Sequence, residues 1–180
     1  MLEYLSLCGR ASEKYCFIDG KTVKVHVPVD IAIGKLMIVG AYPSAIFETI
    51  KKIKDIPVGD HSHPFSNEKY FDGSRIRTVE SGRELDEYYL SKLGISRNDC
   101  WITNLVKVFL FKPGHINKYN EIRPDCTTIA TRNQYRIFAI RSLEYFTKEV
   151  ELAKPKIILT LGSEVTAAIH QCSEKNLCKD

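Results

Sequence analysis

Three apolar runs, Leu36-Met37-Ile38-Val39, Trp101-Ile102-Thr103-Asn104-Leu105-Val106-Lys107 and Ile157-Ile158-Leu159-Thr160-Leu161, set the strongest limit on how this chain folds. A strand without alternation must be covered on both faces, as happens when helices cross over a parallel sheet. Helical patterns separate the three runs, which predicts right-handed crossovers and a three-layer α/β/α sandwich around a central parallel sheet. In such a sheet the C-terminal strand ends share one edge. Gly40 to Ser44, Asn104 to Phe111 and Gly162 to Ser163 are therefore expected at a single crevice, the usual ligand position of parallel sheets.

Asn104 is the exception within its run, an amide near the end of a buried-looking strand. Phe109, Phe111, Lys112, Pro113 and Gly114 follow, so the amide falls where strand gives way to loop. Two readings stand: a ligand contact in the crevice, or a cap on the next turn.

A chain of 180 residues is expected to form one domain, 1–180, with an N-terminal extension over 1–34 and a core over 35–180. The extension reads as an amphipathic helix over 2–14, then a β-hairpin over 16–27 turning at Asp19-Gly20. After the first apolar run, Pro43 and Ser44 are expected to open a helix through Ile46, Phe47, Ile50 and Ile53. Residues 57–80 read as a long loop with a short strand at 74–79. Ser81-Gly82-Arg83-Glu84 has the form of a capping box, starting a helix through Leu85, Tyr88, Tyr89 and Leu93 to Gly94. A second loop is expected over 112–132. A long helix with Ala139, Leu143, Phe146 and Val150 on one face follows, and a last helix capped by Ser163.

No apolar run approaches the roughly 20 residues of a membrane span. Met1-Leu2-Glu3-Tyr4-Leu5 lacks a basic leader, so a cytoplasmic protein with reduced thiols is expected and no membrane association. The six cysteines include no C-x-x-C pair, which argues against a disulfide framework and against a zinc or iron–sulfur site. Asp60, His61 and His63 read as loop residues, and no metal or cofactor is expected. A net charge of +4 permits a polyanionic partner. Lys51, Lys52, Lys54, Arg132, Arg136 and Arg141 suit either phosphates or a solvated face.

Over residues 35–170 four segments, in order, resemble the uracil-DNA glycosylase superfamily. They are Ile38-Val39-Gly40-Ala41-Tyr42-Pro43, Ser81-Gly82-Arg83-Glu84-Leu85-Asp86, Ile102-Thr103-Asn104-Leu105-Val106-Lys107, and Glu149 to Lys156 leading into Ile157 to Gly162. The resemblance implies a uracil-DNA glycosylase-like fold that flips a uracil or related deaminated base out of DNA and hydrolyses its N-glycosidic bond. DNA containing uracil or an abasic site is the implied partner. Asn104 matches the base-edge reader, donating to O4 and accepting from N3–H, where cytosine presents the reverse pattern. Phe65 of Pro64-Phe65 matches the ring that stacks on the base, with Phe71 as a competitor, and Gly40, Ala41, Pro43 and Ser44 line the water and phosphate side.

The resemblance breaks at the water-positioning places, which hold Ala41 and Tyr42 instead of an acid or amide, so Tyr42 is the catalytic candidate. The family's final His-Pro motif is not found before Asp180, and His170 is a poor substitute for it. Val108 and Ser142 stand where the cluster-bearing branch would need cysteines. The rival reading is a non-catalytic relative binding a nucleobase, a nucleotide, DNA or a protein partner.

Overall fold

A computed structural model describes residues 2–7 and 14–171. Its strands are β1 (Leu36–Gly40), β2 (Ala45–Ile50), β3 (Ile53–Asp60), β4 (Lys69–Phe71), β5 (Ile76–Thr78), β6 (Cys100–Asn104) and β7 (Ile157–Thr160). Its α-helices are α1 (Leu2–Leu7), α2 (Glu80–Glu84), α3 (Ser91–Leu93), α4 (Pro113–Ile122), α5 (Tyr135–Ala153) and α6 (Ser163–Ile169), with a π-wound stretch, Leu85–Leu90, joining α2 to α3.

The three apolar runs form one parallel sheet in the order β6-β1-β7, with Gly40 opposite Asn104 and Val39 opposite Thr160. Successive side chains of β1 enter different cores. Met37 and Val39 pack with Phe138, Ala139, Phe146, Val165 and Ala168, whereas Ile38 packs with Leu85, Leu90 and Ile102. Helices α5 and α6 therefore cover one face and the Glu80–Leu93 helical segment the other, the α/β layering that doubly buried strands demand.

β7 corrects the expectation of a third buried strand. Ile157 is 66% exposed and Ile158 40%, because β7 lies at the sheet edge, with no strand beyond it among the described residues. The expected helix after Pro43 is instead the β2–β3 hairpin. Ala-Ile-Phe-Glu-Thr-Ile is rich in β-branched and aromatic side chains, which favour a pleated surface. Lys51 and Lys52 have φ of 49° and 68°, giving the two positive-φ residues that a two-residue hairpin turn requires.

Within 57–80, β4 pairs with β5, which is shorter than the strand expected over 74–79. The expected loop over 112–132 contains α4, with Pro113 in its first turn and Tyr119 fully buried beneath it. The capping box at Ser81 does not form: the helix begins at Glu80 after an extended Val79 without a side-chain cap. Tyr88, Tyr89 and Leu93 are exposed, leaving Leu85 and Leu90 as the packed face, and Gly94 ends the helix in the left-handed region as expected. Ser163 is the first residue of α6, whose cap position belongs to Gly162. In the extension the Asp19-Gly20 turn forms, but only a bridge from Cys16 to Thr22 joins its arms. The expected helix over 2–14 is described as α1 over Leu2–Leu7, and residues 8–13 lie outside the described residues.

Beyond β6 the chain leaves regular structure yet stays buried from Leu105 to Phe111. Lys107 lies in this stretch, and its ammonium donates to Glu149 of α5 and to Thr103. Glu149 also accepts the Trp101 indole N–H at 2.7 Å. Burial pushes the Lys107 ammonium below its ordinary pKa, with the Glu149 carboxylate opposing that fall. The Lys107 backbone N–H donates to the Tyr4 hydroxyl at 2.9 Å, which ties α1 to the same point. Removing one partner of such a pair strands a buried charge. Glu149→Ala is expected to lower unfolding free energy by about 3–5 kcal/mol, and the apolar double variant Lys107→Met with Glu149→Leu by far less. Urea denaturation of the three proteins measures the difference.

Candidate functional site

A cavity of about 340 Å³ opens at the C-terminal edge of the sheet. That volume lies at the small end of the range for small-molecule sites. Its walls come from Tyr42, Pro43 and Ser44 after β1, Phe47 of β2, Phe65 after β3, Ser81 of α2, Asn104 at the end of β6, and Phe109, Leu110, Lys112 and His115 beyond it.

Asn104 is only 2% exposed, and its Oδ1 is buried with no hydrogen-bond partner among the described residues. A buried amide oxygen left unmatched is costly, on the order of 1–3 kcal/mol, unless a ligand or water supplies the donor. A turn-capping amide oxygen would have accepted from the backbone after it, and Asn104 Oδ1 accepts no such bond among the described residues. Gly40 makes room for the arrangement. A Cβ there would lie 2.4 Å from Asn104 Oδ1 and 2.5 Å from the tip of the Phe65 ring.

Phe65 is held by its backbone as well as its ring. Its φ of 52° is unusual for a residue with a side chain and is found where surrounding structure enforces it. Arg97 Nη2 donates to the Phe65 carbonyl at 2.7 Å, while Arg97 Nε donates to Asp86 Oδ1 at 2.7 Å and Nη1 to Asp30 Oδ2 at 3.2 Å. Gly82 closes the clamp, since a Cβ there would fall 2.1 Å from the Ser66 carbonyl oxygen. The glycine and arginine act on the ring through the loop that carries it. Ser62 and His61 anchor the start of that loop on Glu68, both at 2.8 Å.

Tyr42 lies half-buried on another wall. The Arg132 guanidinium sits 4.5 Å from its ring centroid and donates to Glu164 Oε2 at 2.6 Å. Burial raises the phenol pKa against the opposing pull of Arg132, so the hydroxyl stays protonated at neutral pH.

His115 and Lys112 belong to the start of α4, where His115 Nδ1 accepts the Lys112 backbone N–H at 3.2 Å. The His115 ring stacks on Phe109, centroids 5.7 Å apart, and meets Phe47 edge-on at 5.8 Å. Burial, then Lys112 and Lys118, lower its pKa to about 4 against the opposing charge of Asp55.

The structure thus brings together Tyr42, Pro43, Ser44, Phe65 and Asn104 from the sequence reading, with Gly40 beneath them. Phe71 is set aside: it is 61% exposed on β4, whose register pairs it with Ile76, and it does not line the cavity. Ala41 packs against the apolar core, and Gly162 and Ser163 begin α6 outside the cavity lining. Phe47, Ser81, Lys112 and His115 were missed as wall residues because the segments carrying Phe47, Lys112 and His115 were read as helix or loop, and Ser81 as a cap. Arg97 was missed because it acts through a backbone carbonyl, which leaves no pattern in sequence.

Two measurements follow from this geometry. Gly40→Ala should displace the Phe65 ring and the Asn104 amide, lowering stability by roughly 1–3 kcal/mol in urea denaturation. In an NMR titration the His115 ring signals should hold their neutral positions from pH 8 to pH 5 and move only towards about pH 4.

No helix among the described residues is long and apolar enough to cross a membrane. A comparison with curated proteins found no match. A family model, the uracil DNA glycosylase superfamily, matches residues 31–177, which includes every wall of the cavity. With most of its length matched and with the parallel sheet and edge cavity described above, the chain belongs to the uracil DNA glycosylase superfamily.

Proposed function

We propose that the protein binds a pyrimidine base, extruded from DNA, in the cavity at the sheet edge and hydrolyses its N-glycosidic bond, with uracil or another deaminated base as substrate. The observation that carries this reading is the buried, unmatched Asn104 Oδ1 beside the Phe65 ring. A uracil lying on Phe65 would give its N3–H to Oδ1 and accept at O4 from the Asn104 amide N–H, whereas cytosine would meet donor with donor. Discrimination then comes from leaving a buried group unpaired with the wrong base.

In the hydrolysis, the C1′–N1 bond breaks with its electron pair going to the base, and a water oxygen bonds to C1′ and loses its proton to solvent. Tyr42 is the proposed water-orienting group, a protonated phenol steadied by Arg132. One observation favours a second reading, binding without cleavage: no Asp or Glu lines the cavity among the described residues, so a strong general base is absent from its walls.

Titration with free uracil and with uracil-containing oligonucleotides, followed by an assay for released base, separates these readings. Asn104→Ala is expected to weaken uracil binding roughly 5- to 150-fold, from about 1–3 kcal/mol for the lost pairings, with an unchanged melting temperature. Release of uracil by the wild-type protein supports the enzyme, and binding without release supports the second reading. If neither uracil nor the oligonucleotide binds, the base-pocket reading fails.

A further inference from the structure

Two walls of the cavity leave the strands separately. The loop carrying Phe65 leaves β3 at Asp60, and the irregular segment carrying Phe109 and Leu110 leaves β6 at Asn104. One residue of the N-terminal extension touches the root of both. The His26 backbone N–H donates to the Lys107 carbonyl at 2.7 Å, and its ring Nε2 faces Asp60 Oδ1 at 3.5 Å. Both side chains are only 2% exposed. His26 Nδ1 and Nε2 and Asp60 Oδ1 have no hydrogen-bond partner among the described residues, and polar atoms buried so deeply are costly unless they answer one another. Their mutual approach is the one ion pair either makes among the described residues. Asp60 Oδ2 accepts the Lys24 backbone N–H at 2.8 Å. From His26 the extension continues along β6, where Ile102 N–H donates to the Asp30 carbonyl at 3.0 Å and Ala32 N–H to the Cys100 carbonyl at 3.1 Å. The Asp30 carboxylate accepts from Arg97, which also donates to the Phe65 carbonyl.

We infer that residues 24–32 form a strap that sets the Phe65 wall against the Phe109 wall, and that His26 is its positioning residue, acting on Phe65 through Asp60. The inference goes beyond the base-pocket reading, because it concerns how the cavity is held whatever it takes. Backbone bonds fasten the strap to Lys107 and to β6, and β6 is already fixed by the sheet. The Phe65 loop has no such support, so its root depends on what meets Asp60. A buried carboxylate facing an imidazole has few alternative placements, since a shift of either leaves polar atoms unmet away from water. That demand fixes the backbone where the loop begins, while Arg97 fixes it at Phe65 itself. The ring is thereby restrained at the root of its loop as well as at its own carbonyl.

Amide hydrogen exchange, read by mass spectrometry over 61–68, 105–111 and β1, tests the strap without a ligand. His26→Leu removes the ring nitrogens but keeps the backbone N–H, and therefore the Lys107 bond. It should speed exchange over 61–68 roughly tenfold while leaving 105–111 and β1 within about twofold of wild type. A residue that merely fills the core would loosen all three segments together. His26→Gln, whose amide can donate towards Asp60 Oδ1, should restore slow exchange over 61–68. Asp60→Asn, which keeps the shape and the Lys24 acceptor but loses the charge, reads the same contact from the other side should His26→Leu not fold. Its exchange over 61–68 should also quicken, and the double variant should show less than the product of the two single effects. Thermal melting checks that each variant is folded. Wild-type exchange over 61–68 in the folded variants, or equal acceleration in β1, overturns the proposal. Uracil titration is a separate reading: where wild-type protein binds uracil, His26→Leu should bind it more weakly and His26→Gln should not. If wild-type protein binds none, the base-pocket reading fails while the exchange data still decide the strap.

Discussion

Where β1 and β6 end, Gly40 and Asn104 face each other in register, and the missing side chain at Gly40 lets a polar amide and an aromatic ring meet there. The amide belongs to the strand and is fixed by the sheet. The ring belongs to a loop and needs its own restraint, supplied by Arg97 on the Phe65 carbonyl and by the close approach of Gly82 to Ser66. The geometry of this cavity wall therefore depends on two glycines that contribute no side chain to it. Each permits a backbone or side-chain approach that any Cβ would block.

The irregular segment from Leu105 to Phe111 faces a related problem, since its buried backbone lacks the repeating ladder of a strand. It continues the sheet briefly: Leu105 and Val106 donate to the carbonyls of Gly40 and Ala41 at 2.8 and 3.0 Å. It is then pinned by the Lys107–Glu149 pair to α5 and by the Tyr4 hydroxyl to α1. A buried ion pair is a poor source of net stability but a demanding one geometrically, because any other placement leaves a charge unmet. That selectivity suits a stretch that must deliver Phe109 and Leu110 to the cavity wall without help from regular secondary structure.

The legible parts of the sequence are those where one physical demand dominated. Doubly buried strands left apolar runs, so the parallel sheet and its C-terminal edge could be read directly, and Asn104 stood out as a polar group with no local reason to be there. Ile157 and Ile158 show the limit of that logic: their composition matches a central strand, yet their exposure is decided by what lies beside β7. The β2–β3 hairpin was masked because Ile46, Phe47, Ile50 and Ile53 also fit a helical period and its turn uses two lysines in place of the Asn-Gly that marks such turns. Missing that hairpin hid Phe47, and reading α4 as loop hid His115, whose meaning comes from its place in the first turn of a helix.

Viewed from the base-pocket reading, the cavity walls carry hydrogen-bonding groups and one lysine but no carboxylate among the described residues. Such a lining suits a bond that breaks mainly by departure of its leaving group, where stabilising the electron pair on the base matters more than sharpening the attacking water. The neutral state of His115 belongs to that design. A charged imidazolium there would be opposed first by burial and then by Lys112 and Lys118, whereas a neutral ring adds no charge to the cavity wall. Tyr42 follows the same rule, its phenol kept protonated by burial and its ring covered by a guanidinium already committed to Glu164. Apart from Lys112, charge is thus kept behind the walls, in Arg132–Glu164 and Arg97–Asp86, while neutral dipoles line the cavity.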